Sequence, residues 1–242
     1  MKNKSYILKA ALFATGLSGI VSEYILATLA SYFLGDSIVQ WALIISLMLF
    51  FMGVGAMITK FISKNIFSIF ITTEFILSLV VSFAALASYS IVAYSVYAGV
   101  LIYFLAIVTG TLIGMELPLA VRLNDRFEEL KINISSILEK DYYGSLVGGV
   151  FFAFVGLPYL GLTYTPFVLG LINLSVAIAM LNFYPTITTK KRRRVFNLVA
   201  IGLIIVIGLG VFNAKEIIFF GEQKKYKDKI VYEEQTRYQK IV

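Results

Sequence analysis

Seven mostly apolar runs fill nearly everything between Tyr6 and Ala214, and the segments joining them carry Lys or Arg only at alternate junctions. A bilayer core about 30 Å thick takes roughly 20 apolar residues per helical crossing. Inside it every backbone N–H and C=O must be paired within the protein, so runs of this length select helices. The pattern predicts an all-α fold, a polytopic membrane helical bundle of about seven transmembrane helices with a short β-type C-terminal tail. Composition points the same way: 59% of residues are hydrophobic, 14% are charged, and the mean hydropathy is +0.87, outside the usual range of a soluble domain.

The chain has no Cys and no His. That removes disulfides, thiol nucleophiles, imidazole bases and the commonest transition-metal ligands, so no zinc, haem or other metal centre is expected. The net charge of +7 sits in short clusters beside the apolar runs. There it sets topology and meets anionic lipid, and no nucleic-acid partner is expected. The pentabasic run Lys190 to Arg194 is read in the same way.

Crossings are expected near Tyr6–Leu34, Ile38–Thr59, Ile66–Ser88, Ile91–Met115, Tyr142–Leu157, Tyr164–Tyr184 and Val195–Asn213. The start of the chain resembles a secretory signal, but its apolar stretch runs on past Gly19 to Leu34 without a clear small-residue cleavage site, so a retained first helix is expected. The fifth run holds four glycines, Gly144, Gly148, Gly149 and Gly156, and is expected to close at Pro158 and pack inside the bundle. Basic residues lie at the N-terminus, at Lys60 and Lys64, at Arg122, Arg126, Lys131 and Lys140, and at Lys190 to Arg194. The positive-inside rule then gives a multi-pass plasma-membrane protein with a cytoplasmic N-terminus, and seven crossings carry the tail to the far side.

Between Arg122 and Lys140, the spacing of Leu123, Phe127, Leu130, Ile134 and Ile137 predicts a short amphipathic helix lying on the membrane surface. The composition changes after Ala214, which divides the chain into a transmembrane domain over 1–214 and the start of a soluble β region over 215–242. Residues 229–242 read as two strand segments around a polar turn. Two strands are marginal alone, so the chain is expected to be a piece of something longer, truncated, split or cut.

Four acids, Glu23, Glu74, Glu116 and Asp141, stand inside or beside apolar runs. Burying one at mid-bilayer costs on the order of 3 kcal/mol, so such residues face a bundle interior or a wet cavity. Each has two readings: a cation or proton site, or an acid satisfied by Ser, Thr or Tyr of a neighbouring helix. For Glu74 the second is preferred. Gly110 with Gly114, and Gly144 with Gly148, have the four-residue spacing that lets helix backbones approach, and are assigned to helix packing. Pro118, two residues after Glu116, either frees a carbonyl near that carboxylate or ends the helix. No glycine loop after a strand, catalytic triad or metal-ligand spacing is present, so these residues are expected to hold no catalytic set.

Several stretches together resemble the N-terminal membrane domain of bacterial membrane-bound spermidine synthases, the polyamine aminopropyltransferases. They are Gly16-Leu-Ser-Gly-Ile-Val-Ser-Glu-Tyr24, Phe51-Met-Gly-Val-Gly55, Gly114-Met-Glu-Leu-Pro-Leu119, Asp141-Tyr-Tyr-Gly-Ser-Leu-Val-Gly-Gly149 and Leu157-Pro-Tyr-Leu-Gly-Leu162. The segment from Tyr226 to Val242 is similar to the opening strands of the catalytic domain of that family. The resemblance implies a Rossmann-like domain that transfers an aminopropyl group from decarboxylated S-adenosylmethionine to putrescine, with this chain as its anchor. The family's active-site residues would lie beyond Val242, so no catalytic residue is assigned and no cofactor is expected in this chain itself. Its partners would be the lipid bilayer and the aminopropyltransferase domain or a separate subunit. A donor made in the cytosol implies a cytoplasmic catalytic domain, against the far-side tail given by the loop charges, so the seventh crossing stays open. The alternative function is a polyamine or cation carrier, with the four acids lining a path and Tyr24 and Tyr142 adding cation-π contacts.

Overall fold

The computed structural model describes residues 2–92, 98–125, 129–184, 189–224, 228–232, 234–235 and 240–241. Among them are seven α-helices: α1 Lys2–Leu34, α2 Ser37–Ile58, α3 Ile66–Val92, α4 Ala98–Asn124, α5 Leu130–Phe151, α6 Gly161–Phe183 and α7 Lys190–Gln223. The fold is all-α. A 3-10 turn, Thr59–Phe61, ends α2, and a π-helical stretch, Phe152–Leu160, prolongs α5. In the tail, β1 (Glu234–Gln235) pairs antiparallel with β2 (Lys240–Ile241), Glu234 opposite Ile241. The turn expected between them lies outside the described residues.

Six segments are long and apolar enough to cross a membrane, with α5 and α6 counted as one continuous segment over Lys131–Phe183. This is compatible with a membrane protein. The most apolar stretches of α1 and α3 are 61% and 67% buried against 22% for α2 and 17% for α7, so the first pair forms the centre and the second the rim. The rim exposes Leu49 and Phe50 of α2 and Ile201, Ile205, Leu209 and Phe212 of α7. A water-soluble bundle of this size rarely leaves so much large apolar surface uncovered.

Contacts fix the helix directions. α1 runs parallel to α5, with Phe13 against Gly144, Leu17 against Gly148, and the rings of Tyr24 and Phe152 5.6 Å apart. α2 runs parallel to α4: the Tyr103 hydroxyl donates to Gln40 Oε1 at 2.7 Å, Met48 meets Gly110, Met52 meets Gly114, and Arg122 donates to the Thr59 carbonyl at 3.1 Å. α3 runs parallel to α7 through Phe75–Phe196 and Tyr89–Gly221, and antiparallel to α6 through Phe67–Tyr184 and Phe83–Phe167. Successive helices therefore alternate. Arg122, at Thr59, and Arg192, at Asn65 and Ser68, lie at one end. The end of α7 lies at the other, where Tyr32 donates to Glu222 at 3.1 Å. The turn from α1 into α2 at that end is only Gly35 and Asp36, both with positive φ (77° and 44°), and Asp36 caps α2 by accepting from the Val39 N–H at 3.3 Å.

Four expectations change. The surface helix between Arg122 and Lys140 is not a separate element: Arg122 to Asn124 end α4, while Leu130 to Lys140 begin α5, which runs unbroken into the fifth crossing. Phe127 lies outside the described residues. No Gly or Pro interrupts 130–143, and buried Asn133 accepts from Asn124 Nδ2 at 2.9 Å and donates to the Val121 carbonyl at 2.8 Å, clamping the start of α5 onto α4. The fifth run does not close at Pro158 either. Its wider π turn accommodates the proline, and the break falls at Gly161, where φ is 62°. The Thr165 hydroxyl donates to the Gly156 carbonyl at 2.8 Å, supplying a donor near that break. α4 runs through Pro118 to Asn124, so this proline does not end its helix. Finally, α7 continues past Ala214 to Gln223, so the composition change at 214 does not coincide with the helix end.

A Cβ at Gly144 would overlap the Phe13 carbonyl, whereas one at Gly202 would meet open space. Gly144→Val is expected to destabilise the bundle by about 1–3 kcal/mol or more through forced separation of α1 and α5. Gly202→Ala is expected to be neutral or stabilising by up to about 1 kcal/mol. Thermal unfolding of the purified chain in detergent measures both.

Candidate functional site

The sequence motifs meet in space. Gly16, Leu17, Ile20 and Tyr24 of α1 pack against Asp141, Gly144, Gly148 and Gly149 of α5, while Met52 and Gly55 of α2 pack against Thr111, Gly114 and Met115 of α4. These contacts are backbone on backbone. A Cβ on Gly16 would lie 2.8 Å from Asp141 Oδ1, and the Ser145 hydroxyl donates to the Gly16 carbonyl at 3.2 Å. Gly110 faces the Met48 backbone, and Gly148 faces Leu17 and Ile20.

Three of the four acids converge. Glu74 on α3 is 0% exposed and Glu116 on α4 is 4% exposed; their carboxyl groups approach one another, and Asp141 on α5 acts on Glu116 from a third side. Thr15 of α1 also interacts with Glu116. The groups that act on this pair are acids and a hydroxyl, with no Lys or Arg among them. Both oxygens of Glu74 and Oε1 of Glu116 lack a hydrogen-bond partner of good geometry. An unpaired buried charge costs several kcal/mol, so carboxyl groups placed like this require a proton or a cation. Glu23 stands apart. It is buried on α1 at 8% exposure, with no charge interaction linking it to the other three.

Beside Glu116 lies a narrow gap between helices, too tight for a water-sized sphere, lined by Thr15, Ser18, Gly19, Ser22, Leu77, Ile113, Glu116 and Asn173. Sequence reasoning missed Thr15, Ser18 and Asn173. The first two had a signal: Thr15, Ser18 and Ser22 are spaced three and four apart, which puts three hydroxyls on one face of an otherwise apolar helix. Asn173 shares no such spacing with another polar residue facing the same space, and had none. The aromatic residues proposed for a cation path fall elsewhere. Tyr142 is 65% exposed on the outside of α5, and Tyr24 is packed between Trp41 and Phe152, with ring centroids 5.4 and 5.6 Å away. Among the described residues no three His, Cys, Asp or Glu side chains are grouped as a metal centre would require.

Comparison with known proteins matches this arrangement to one group. The chain is 40% identical over 98% of its length to polyamine aminopropyltransferase 2 of Aquifex aeolicus, of which it covers 47%. It is 36% identical over 93% of its length to the polyamine aminopropyltransferase of Oceanobacillus iheyensis, covering 44% of that protein, and 32% identical to the one of Leptospira interrogans, covering 45%. The chain is similar to polyamine aminopropyltransferases. It spans just under half the length of these curated relatives. No family model and no solved structure matches it.

Glu74→Gln is expected to raise the apparent melting temperature by about 2–4 °C for each kcal/mol gained, because it removes one acid from a pair without a counter-charge and gives Glu116 an amide donor. A melting temperature lower than that of the unaltered chain would show that the Glu74 carboxyl is required as such.

Proposed function

We propose that this chain is the membrane domain of a spermidine synthase-like protein, multi-pass in the plasma membrane, which anchors an aminopropyltransferase domain and itself performs no chemistry. The observation that carries this reading is similarity over nearly the whole chain to proteins named polyamine aminopropyltransferase, of which this helical bundle spans just under half. The substrates would be decarboxylated S-adenosylmethionine and putrescine, bound by the anchored domain. Apolar faces on α2 and α7 support lipid contact, and the short strand pair beyond α7 supports a junction with a soluble domain. Membranes bearing the chain alone should form no spermidine from the two substrates, and the chain should resist alkaline carbonate extraction. Turnover by the chain alone, or its release by carbonate, contradicts the proposal.

Orientation is separately testable. The basic ends argue for a cytoplasmic N-terminus, which with seven crossings puts the end of α7 outside the cell. A donor supplied from the cytosol argues for the opposite. The chain has no native cysteine, so single introduced thiols report cleanly. Lys64→Cys and Lys191→Cys are expected to label from one side only, and Ser37→Cys and Lys229→Cys only from the other. Impermeant-thiol labelling of intact cells then shows which pair faces the cytoplasm.

A second reading, a polyamine carrier, rests on the acids that lack a counter-charge. Spermidine uptake into proteoliposomes that Glu23→Gln or Glu116→Gln abolishes would favour it. The geometry favours the anchor, because the gap beside Glu116 has no room for a water-sized sphere and so none for an extended polyamine.

A further inference from the structure

The space between α1, α3, α4 and α6 brings together buried oxygens that lack a hydrogen-bond partner of good geometry. Ser18 Oγ, Glu116 Oε1 and Asn173 Oδ1 belong to residues that line it, are 2%, 4% and 2% exposed, and have no hydrogen-bond partner. Thr15 and Ser22, which also line it, donate their hydroxyl protons to the carbonyls of Leu12 and Ser18 on their own helix, at 3.2 and 2.7 Å. Their oxygen lone pairs are left as acceptors. Leu77 and Ile113 complete the wall.

Buried acceptors without partners are ordinarily satisfied by water. This gap is nowhere wide enough for a water-sized sphere. What remains is something smaller than water that carries positive charge. The donors are all oxygen, which suits a hard cation. A divalent ion takes six or more oxygens with several carboxylates, or keeps its own waters, and the cavity provides neither the acids nor the room. A single carboxylate with neutral hydroxyl and amide oxygens balances one charge. Potassium is about as large as water and is excluded by the same narrowness.

We propose that Thr15, Ser18, Glu116 and Asn173 bind a small dehydrated monovalent cation, with sodium as the ion to test, and that this ion ties α1, α4 and α6 together. The site is independent of whether the chain anchors an aminopropyltransferase. Glu74 lies outside the cavity lining but acts on Glu116, so Glu74→Gln is no neutral control for the site.

The test is thermal unfolding of the purified full chain in detergent at fixed pH and matched ionic strength, in sodium, lithium, potassium or choline chloride. Sodium is expected to raise the apparent melting temperature in a saturable way, with the folded-to-unfolded ratio up about tenfold at ten times the dissociation constant. Potassium and choline should give no such rise. Asn173→Leu and Ser18→Ala should each remove the sodium-dependent part. Should these variants not fold, sodium-NMR line broadening by the unaltered chain, displaced by lithium and not by choline, supports the site, and its absence overturns it. Equal melting in all four salts overturns it, as does a sodium response that persists in Asn173→Leu. So does melting that depends on pH but not on sodium, which would assign a proton to Glu116 instead.

Discussion

Backbone contact between parallel helices is the interaction on which the rest of this bundle depends. α5 lies along α1, and α4 along α2, at a separation that only glycine allows at Gly144 and Gly114. Lipid is as apolar as leucine, so helices in a bilayer gain little by hiding apolar side chains from it; close van der Waals contact and buried hydrogen bonds hold them together instead. That closeness has a chemical effect. With α5 seated on α1, Asp141 is held against Gly16 and within reach of Glu116, and the polar face of α1 closes over the space that Glu116 and Asn173 share. A looser pairing would admit water, and the acids would then be solvated rather than dependent on one another.

Large-scale order was legible from run length and loop charge, because a helix that must satisfy its own backbone has few options. Local deviations were not. Pro158 reads as a helix end by the ordinary rule for α-helices, yet the chain passes it by widening to a π turn and breaks at Gly161. The rule concerns a hydrogen-bonding pattern that this segment does not use. The amphipathic spacing between Leu123 and Ile137 is real, but the same period fits a surface helix and the half-exposed first turns of a longer one. What decides between them is the Asn124–Asn133 amide bridge, a tertiary contact. In the same way the acids stood out one by one, while the meeting of Glu74, Glu116 and Asp141 depends on how α3, α4 and α5 dock, which no local pattern reveals. Asn173 was invisible because its partners across the gap, on α1 and α4, lie far away in sequence.

The stretches that carry the resemblance to spermidine synthases lie where these helices meet. Gly16 to Tyr24 packs on Asp141 to Gly149, and Phe51 to Gly55 packs on the region around Gly114. Similarity to the curated relatives extends over nearly all of this chain while leaving more than half of each relative outside it.

The pairing of α1 with α5 has a consequence for biogenesis. Helices leave the ribosome in order, so α1, with Thr15, Ser18, Ser22 and Glu23 buried in the finished bundle, enters the bilayer long before the partner that covers Gly16 has been made. Until then α1 must shelter that polar face against the insertion machinery or against helices that later give way. That face is closed over by Glu116 of α4 and Asn173 of α6, so nascent chains cut short before Gly161 should be the ones that quality-control proteases recognise.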